Sequence, residues 1–280
     1  MESILILKKD LTIRLEFLKN ILIKIEYEGT RYNGWQIQPN VPTVQKVINK
    51  VLRIICQFPV SVSGCSRTDS GVHASCQIAN IFIPDTIPLA RLIVSANSLL
   101  PDDIAITDIA EVSGDYRIKH TNSGKRYLYQ IFNSRIKPLK DRQYQLWVKK
   151  PLDYDEMENA CQYFIGTHDF SAFRGRRCQQ SSPVKTIHDF RISRKQSPQT
   201  SIITITVEGS GFLKNMVRIM VGTLIDIGRG RAKEGIIKKA LQSGIRIDAG
   251  ATAPAMGLCL DKIFVSPDPF ENRDSLIKSP

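Results

Sequence analysis

The sequence predicts an α+β protein with one mixed, largely antiparallel sheet flanked by helices. Strand and helix patterns alternate from residue 20 to 265, in two similar α/β halves at 20–115 and 116–265. With 280 residues, 42% of them apolar and 24% charged, the chain can bury a sizeable core. Residues 1–19 and 266–280 lack this patterning, so we expect a loosely attached N-terminal extension and a disordered tail.

The first half begins with a strand, because every second residue of 21–27 is apolar. Thr43 is the expected N-cap of a helix that runs to residue 55, where apolar residues recur at helical spacing. The remaining elements of this half are two strands, a helix and a strand, at 60–64, 74–83, 88–99 and 104–111.

The second half begins with a strand around 127–131, where aromatic and apolar residues alternate. A helix predicted at 157–165 stops at Gly166, which suits the left-handed position after a helix. Residues 212–227 are apolar nearly all round, which predicts a buried helix ended by Gly228. The remaining elements are two strands, a helix and a closing strand, at 187–193, 202–207, 234–243 and 258–265.

Charge and cysteine content narrow the class of protein. The net charge of +12, from 39 Lys and Arg against 27 Asp and Glu, favours a polyanionic partner such as nucleic acid, although an unspecialised basic protein would look the same. The six cysteines form no C-x-x-C pair and match no zinc spacing, so we expect reduced thiols and no metal site. Reduced thiols indicate the cytoplasm, and no apolar run approaches the roughly 20 residues of a membrane span.

A polar loop at 67–73 lies between two predicted strands and offers several chemically active side chains. It places the Asp69 carboxylate near Arg67 and His73, with Gly71 permitting a tight turn. The plain alternative is a hairpin turn with an Asx hydrogen bond. A serine protease would need a partner Asp and His that nothing marks, and a phosphatase nucleophile would want a second Asp where Gly71 stands.

Two further clusters carry charge in unusual places. Tyr127 and Tyr129 share one face of a strand beside Lys125 and Arg126, so they either stack on unpaired bases or belong to the core.

Arg218 interrupts the apolar helix, and a buried guanidinium would need a carboxylate partner. Such a pair could orient a catalytic Asp or be purely structural. The basic run 174–177 is either a phosphate contact or a solvated loop.

Five segments follow one another in a recognisable order: Tyr32–Gln36, Ser66–Ala74, Arg126–Tyr129, Phe212–Arg218 and Thr252–Leu258. Together they resemble the tRNA pseudouridine synthases of the TruA type, which modify positions 38 to 40 in the anticodon arm. Two small replacements depart from the family pattern: Ser66 stands where Gly is usual, and Ser70 where Ala is usual.

The resemblance implies a pseudouridine-synthase fold and specific roles. Asp69 would be the nucleophile, with Arg218 as its ion-pair partner. Tyr127 would stack on the target uracil, and Arg67 would fill the space left by the flipped nucleotide. RNA contacts are implied for Arg126, Arg135, Arg174, Arg176 and Arg177, and for Lys119, which stands where the family usually has Arg.

The resemblance also implies the substrate and assembly. The partner would be the anticodon stem-loop of tRNA, and the protein would be a homodimer. No cofactor is needed, because base and sugar both stay in the product. The alternative is a non-catalytic RNA-binding protein on the same fold, which would have no use for Asp69.

Overall fold

Ten strands and six α-helices make up the computed structural model, which describes residues 18–271. The strands are β1 Leu18–Tyr27, β2 Ser63–Gly64, β3 His73–Pro84, β4 Ile104–Val112, β5 Asn122–Ser134, β6 Leu146–Val148, β7 Gly166–Asp169, β8 Val184–Ser197, β9 Thr200–Gly209 and β10 Leu258–Val265. The helices are α1 Val44–Cys56, α2 Leu89–Leu99, α3 Ile118–Thr121, α4 Tyr154–Cys161, α5 Met216–Gly228 and α6 Gly235–Ser243. Most of the predicted extension 1–19, and the last part of the predicted tail, lie outside the described residues.

All ten strands of the described chain belong to one sheet. Its order is β4-β1-β3-β10-β5-β9-β8-β7, with β2 added to β3 and β6 added to β5. Only the pairs β10–β3 and β5–β6 are parallel; the other pairs are antiparallel. The predicted class, α+β with a mixed and largely antiparallel sheet, is therefore confirmed.

The closing strand β10 joins the two halves of the sheet. It pairs in parallel with β3, where Cys259 faces His73, and antiparallel with β5, where Leu260 faces Tyr127. One strand therefore separates the loop that precedes His73 from the strand that carries Tyr127. Because neighbouring strands lie only about 4.8 Å apart, this pairing brings the two candidate site segments of distant sequence together.

Helices cover each half separately. In the first half α1 packs on α2, and α2 packs on β4; in the second, α4 packs on both α5 and β8. The predicted helix boundaries agree with the structure except at two places in the second half. The helix predicted at 157–165 ends at Cys161 and continues as a 3-10 turn, while Gly166, at φ 112°, already begins β7.

Helix α5 begins at Met216, four residues later than the apolar pattern predicts. Asn215 precedes it in the left-handed conformation, at φ 60°, so the chain from 210 to 215 forms an irregular turn rather than a first helical turn. Two smaller predictions also differ. The strand expected at 60–64 shrinks to Ser63–Gly64, and Thr43 precedes α1 without a capping hydrogen bond from its hydroxyl.

Three other sequence expectations can be compared with residues 18–271. No helix in that range is long and apolar enough to cross a membrane. No three His, Cys, Asp or Glu side chains in the same range are grouped so that they could hold a metal ion. All six cysteines lie in that range as free thiols; Cys56, Cys76 and Cys161 are buried, and Cys65, Cys178 and Cys259 are half-buried.

The segment that precedes β10 lies directly on α5. The Ala253 N–H donates to the Arg218 carbonyl at 3.0 Å, inside the helix. A Cβ on Gly222 would lie 1.7 Å from the Ala251 carbonyl oxygen, so only glycine allows this approach. The position of α5, and with it that of Arg218, therefore depends on Gly222.

We predict that Gly222→Ala lowers the free energy of unfolding by about 3 kcal/mol, because backbone must move to admit the methyl group. Gly235→Ala is the matched control, since a Cβ at Gly235 meets nothing within 4 Å and the residue begins α6. Its stability should stay within about 0.5 kcal/mol of wild type. Urea unfolding measures both, and equal stabilities of the two variants would contradict the packing argument.

Candidate active site

The Asp69 loop runs from the end of β2 to the start of β3 and is held by two glycines. Gly71 has φ +78°, and its N–H donates to the Tyr32 carbonyl at 3.1 Å. Gly34 has φ +82°, and a Cβ there would lie 2.4 Å from the Thr68 carbonyl oxygen. The Asp69 loop therefore packs on the Tyr32–Gln36 segment. In this position the Asp69 side chain is half-buried.

The turn before α5 meets the Asp69 carboxylate. Its Oδ2 accepts the Asn215 backbone N–H at 3.2 Å, and Arg218 Nη1 lies 3.9 Å from the same oxygen. The Arg218 guanidinium is itself fixed, because Nε donates to the Ala253 carbonyl at 2.7 Å and Nη1 donates to Asn215 Oδ1 at 3.1 Å. Arg218 thus lies beside Asp69 as the desolvation argument required, at a distance longer than a direct hydrogen bond.

Burial and charge act on the Asp69 carboxyl in opposite directions. Burial raises its pKa above the ordinary value, because the ionised form loses hydration. The Arg218 charge, the Asn215 N–H and the Lys214 charge each lower the pKa and offset part of this rise. The result is a carboxylate of raised basicity with a fixed cation next to it, which is the balance expected of a reactive acid or base.

Tyr127 forms a wall of the same region and is preorganised by its neighbours. Its hydroxyl lies 3.3 Å from Ser66 Oγ, and its ring meets the edge of Phe212 at a centroid distance of 5.1 Å. Gln77 holds Ser66 from behind, accepting its N–H at 3.2 Å and donating to its carbonyl at 2.7 Å. Burial, and then the Asp69 charge, raise the pKa of Tyr127, so its phenol stays protonated.

His73 is fully engaged in holding the loop. The Gly29 N–H donates to Nδ1 at 3.1 Å, so Nε2 carries the proton that bonds the Met256 carbonyl at 3.2 Å. Burial lowers the pKa of the imidazole, and its ring packs on Tyr144 at 4.9 Å between centroids. Because both ring nitrogens are hydrogen-bonded, His73 serves to position the loop. Asp69 is then the residue of this loop whose side chain is available for chemistry.

The predicted RNA-contacting cations fall into different environments. Arg67 is exposed, and its Nη1 donates to Gln179 Oε1 at 2.7 Å, which ties the Asp69 loop to residues 174–180, called the basic loop. Arg126 points away from Tyr127 across the strand and pairs with Glu208 at 2.7 Å and Asp261 at 3.5 Å. An RNA phosphate would have to compete with these two carboxylates, and the role of Arg126 as an RNA contact stays a prediction.

The remaining predicted cations lie around the site at different distances. Arg174 donates to the carbonyls of Cys178 and Gln180 and so shapes the basic loop, while Arg176 and Arg177 are exposed. Lys119 is exposed on α3, close enough to lower the pKa of the Cys65 thiol, although burial raises that pKa more. Arg135 follows the end of β5, roughly 25 Å along the strand from Tyr127, so it would reach a different part of a bound RNA.

Sequence reasoning missed the residues that complete the site. Asn215, Phe212 and Ser66 touch Asp69, Tyr127 or Arg218, and none of them looked chemically active. The Lys214-Asn215 pair just before an apolar run was the available signal, since polar residues mark helix starts. This signal was easy to overlook, because Phe212 and Leu213 continue the apolar pattern on the N-terminal side of Met216, where the helix begins.

Comparison with known proteins gives consistent matches. The family model described as tRNA pseudouridine synthase matches residues 160–264. The tRNA pseudouridine synthase A of Clostridium kluyveri is 40% identical over 247 residues, which cover 88% of this chain and 100% of that protein. The protein of the same name from Myxococcus xanthus is 38% identical, covering 90% of this chain and 94% of that protein.

Solved structures match much more weakly. The archaeal box H/ACA sRNP Nop10–Cbf5 complex aligns with 78% of this chain and 46% of the matched chain, at 9% identity and a TM-score of 0.33. The family assignment therefore rests on the sequence relatives.

We predict that Asp69→Asn leaves the protein at least as stable as wild type at pH 7. Folding raises the Asp69 pKa, so the stability that its carboxyl contributes is present below the unfolded pKa and is lost as pH rises through the folded pKa. The wild-type free energy of unfolding should therefore fall relative to that of Asp69→Asn from about pH 4 upwards.

Asp248→Asn is the control of opposite sign. The hydrogen bond from Lys239 holds the pKa of Asp248 below its ordinary value, so its contribution to stability appears above that value. Urea unfolding across pH 2 to 8, which includes the acid range where the Asp248 contribution is lost, compares the three proteins. A loss of more than about 1 kcal/mol in Asp69→Asn at pH 7 would contradict the burial argument.

Proposed function

The chain belongs to the tRNA pseudouridine synthase A family, and on that premise we propose that it isomerises uridine to pseudouridine at positions 38, 39 or 40 of tRNA. The observation that carries the proposal is the half-buried Asp69 carboxylate facing Arg218 and the Asn215 N–H. A protein that only bound RNA would gain nothing from burying a carboxylate against its polyanionic ligand.

The proposed reaction rearranges the substrate without adding or removing atoms. The bond from C1′ to N1 of the uracil breaks, the base rotates, and C5 bonds to C1′. The C5 proton is lost, and N1 gains a proton. Because every atom of the substrate stays in the product, the reaction requires no redox partner and no group donor.

Asp69 is the residue that would begin this reaction. An ionised carboxylate can attack the sugar or the base, or it can remove the 2′ hydrogen of the ribose, and both routes require the charged form. Arg218 and the Asn215 N–H favour that form, while burial raises the basicity of the carboxylate. The same arrangement would therefore serve either route.

Base flipping would bring the uridine to Asp69. The C1′ atom of a stacked nucleotide lies inside the RNA helix, out of reach of a half-buried carboxylate, so the nucleotide must leave the stack at a cost of a few kcal/mol. We propose that the uracil stacks on the ring of Tyr127, which is 6% exposed before RNA binds, and that the exposed Arg67 guanidinium fills the vacated space. We propose that the Tyr127 hydroxyl helps to remove the C5 proton late in the reaction, and because its phenol stays protonated it must release its own proton as it accepts this one.

The remaining parts of the proposal rest on the resemblance and the charge. We propose that the anticodon stem-loop is the RNA element recognised, and the net charge of +12 suits a polyanionic partner. A homodimeric assembly in the cytoplasm completes the proposal, as the family resemblance implies.

The test of the proposal is product formation on an unmodified transcript. The protein is incubated with a tRNA that carries uridine at positions 38 to 40, and pseudouridine is mapped by carbodiimide treatment and primer extension. We expect stops at one or more of these positions with wild type and at least a 10³-fold slower reaction with Asp69→Asn, since the variant keeps the shape but not the charge (about the loss seen on removing an activated catalytic group).

Glu158→Gln is the matched control, because it removes an exposed carboxylate of α4 whose hydrogen-bond partner is Tyr154 of the same helix. Its rate should stay within about threefold of wild type. If wild type bound the transcript without forming product, the non-catalytic RNA-binding alternative would replace the enzyme proposal. Full activity in Asp69→Asn would remove Asp69 from the reaction.

A further inference from the structure

A cavity of about 700 Å³ is lined by four arginines and by Gly175, which lies against Asn215. Arg174, Arg176 and Arg177 come from the basic loop, and Arg246 comes from the segment that follows α6. Among the described residues no Asp or Glu lines this arginine cavity. It therefore concentrates positive charge in a concave surface, where the field is strongest.

The four guanidinium groups lack protein counter-charges. Within residues 18–271 none of them forms an ion pair, which distinguishes them from Arg31, Arg126, Arg191, Arg218 and Arg231. The acid nearest to Arg246 in sequence, Asp248, is paired with Lys239 at 2.6 Å. Four unpaired cations around one cavity repel each other, so an anion bound there would relieve this repulsion.

Two of the four arginines are already oriented. Arg246 is half-buried, with Nη1 donating to the Ala249 carbonyl at 3.2 Å and Nη2 to Thr252 Oγ1 at 3.3 Å. Arg174 is half-buried too, and its Nη2 donates to carbonyls of its own loop. A guanidinium has five N–H donors, so each keeps free donors for an anion while its direction is fixed.

Both walls of the arginine cavity are attached to α5 and the turn before it. The Gly175 N–H donates to the Lys214 carbonyl at 2.8 Å, which holds the basic loop. The Gly250 N–H donates to Thr223 Oγ1 at 2.9 Å, which holds the wall that carries Arg246. Since Asn215 and Arg218 of this unit also hold Asp69, the cavity and the catalytic carboxylate keep a fixed relative position.

The cavity is also close to Asp69. The Asn215 N–H contacts Asp69 Oδ2 at 3.2 Å, and a Cβ on Gly175 would lie 2.7 Å from Asn215 Nδ2. Arg67, from the Asp69 loop, reaches Gln179 just beyond the cavity wall. An RNA strand that places one nucleotide at Asp69 would therefore pass its neighbouring phosphates by these arginines.

We propose that the arginine cavity binds backbone phosphates of the RNA strand that flanks the flipped uridine, with Arg246 as a phosphate contact that the sequence resemblance does not name. The inference rests on the proposed function, because it assumes that a uridine is delivered to Asp69. Its effect is on RNA affinity and register, and the chemical step belongs to Asp69.

The test measures binding of a fluorescent anticodon stem-loop RNA by anisotropy in 50 to 300 mM KCl. All proteins carry Asp69→Asn, so that no product forms. The cavity variant adds Arg176→Gln and Arg246→Gln; Arg174 is kept because it shapes the loop. The charge-matched control adds Lys50→Gln and Arg91→Gln, two exposed residues of α1 and α2 that do not line the cavity.

We expect the cavity variant to bind at least about tenfold more weakly at 150 mM KCl, with the slope of log Kd against log salt reduced by about 0.7 to 0.9 for each lost contact. The control should keep its Kd within about threefold. Equal weakening in both variants would mean diffuse attraction and would overturn the proposal, as would an unchanged Kd in the cavity variant.

Activity separates this inference from the proposed function. With Asp69 restored, the cavity variant should show a raised KM for tRNA and a kcat close to that of wild type. If wild type itself forms no pseudouridine, the proposed function fails. If wild type is active while Arg176→Gln with Arg246→Gln changes neither KM nor Kd, only the arginine cavity proposal fails.

Discussion

The contact between the Asp69 carboxylate and the turn that begins α5 is the interaction on which the site depends. A half-buried carboxylate loses hydration, and its charged form persists because Arg218 and the Asn215 N–H lie against it. This requires α5 to start late, at Met216, with Asn215 in the left-handed conformation. It also requires Gly222, because the segment 251–253 that fixes Arg218 passes directly over it.

The sheet is what allows residues so distant in sequence to meet. Strand β10 lies between β3 of the first half and β5 of the second, so the Asp69 loop and Tyr127 approach each other across a single strand. The chain must therefore close on itself before the site exists. The basic loop and the Arg246 segment are both hydrogen-bonded to α5 or the turn before it, which brings a positively charged cavity close to the Asp69 carboxylate.

Sequence reasoning reached the features that have local or energetic causes. Periodicity predicted the α+β class, and the cost of burying Arg218 predicted a nearby carboxylate. Strand alternation also predicts that Arg126 and Tyr127, as neighbours in β5, point to opposite faces of the sheet. The resemblance assigned a role in RNA binding to both residues. The Asn215 turn and the arginine cavity could not be predicted, because they depend on how the segments around 175, 215 and 246 meet in space. The spacing of apolar residues predicts helices and strands, and it does not predict contacts between distant loops.

The most direct test of this account is the pKa of Asp69 itself, followed by ¹³C NMR of labelled carboxyl groups and assigned with Asp69→Asn. Wild type should show a pKa above that of an ordinary Asp, because burial outweighs the stabilising contacts. Removing the charge in Arg218→Met should raise it further, while Arg218→Lys should leave it between the two. An Asp69 pKa that stays unchanged in Arg218→Met would contradict the claim that this guanidinium keeps the carboxylate ionised.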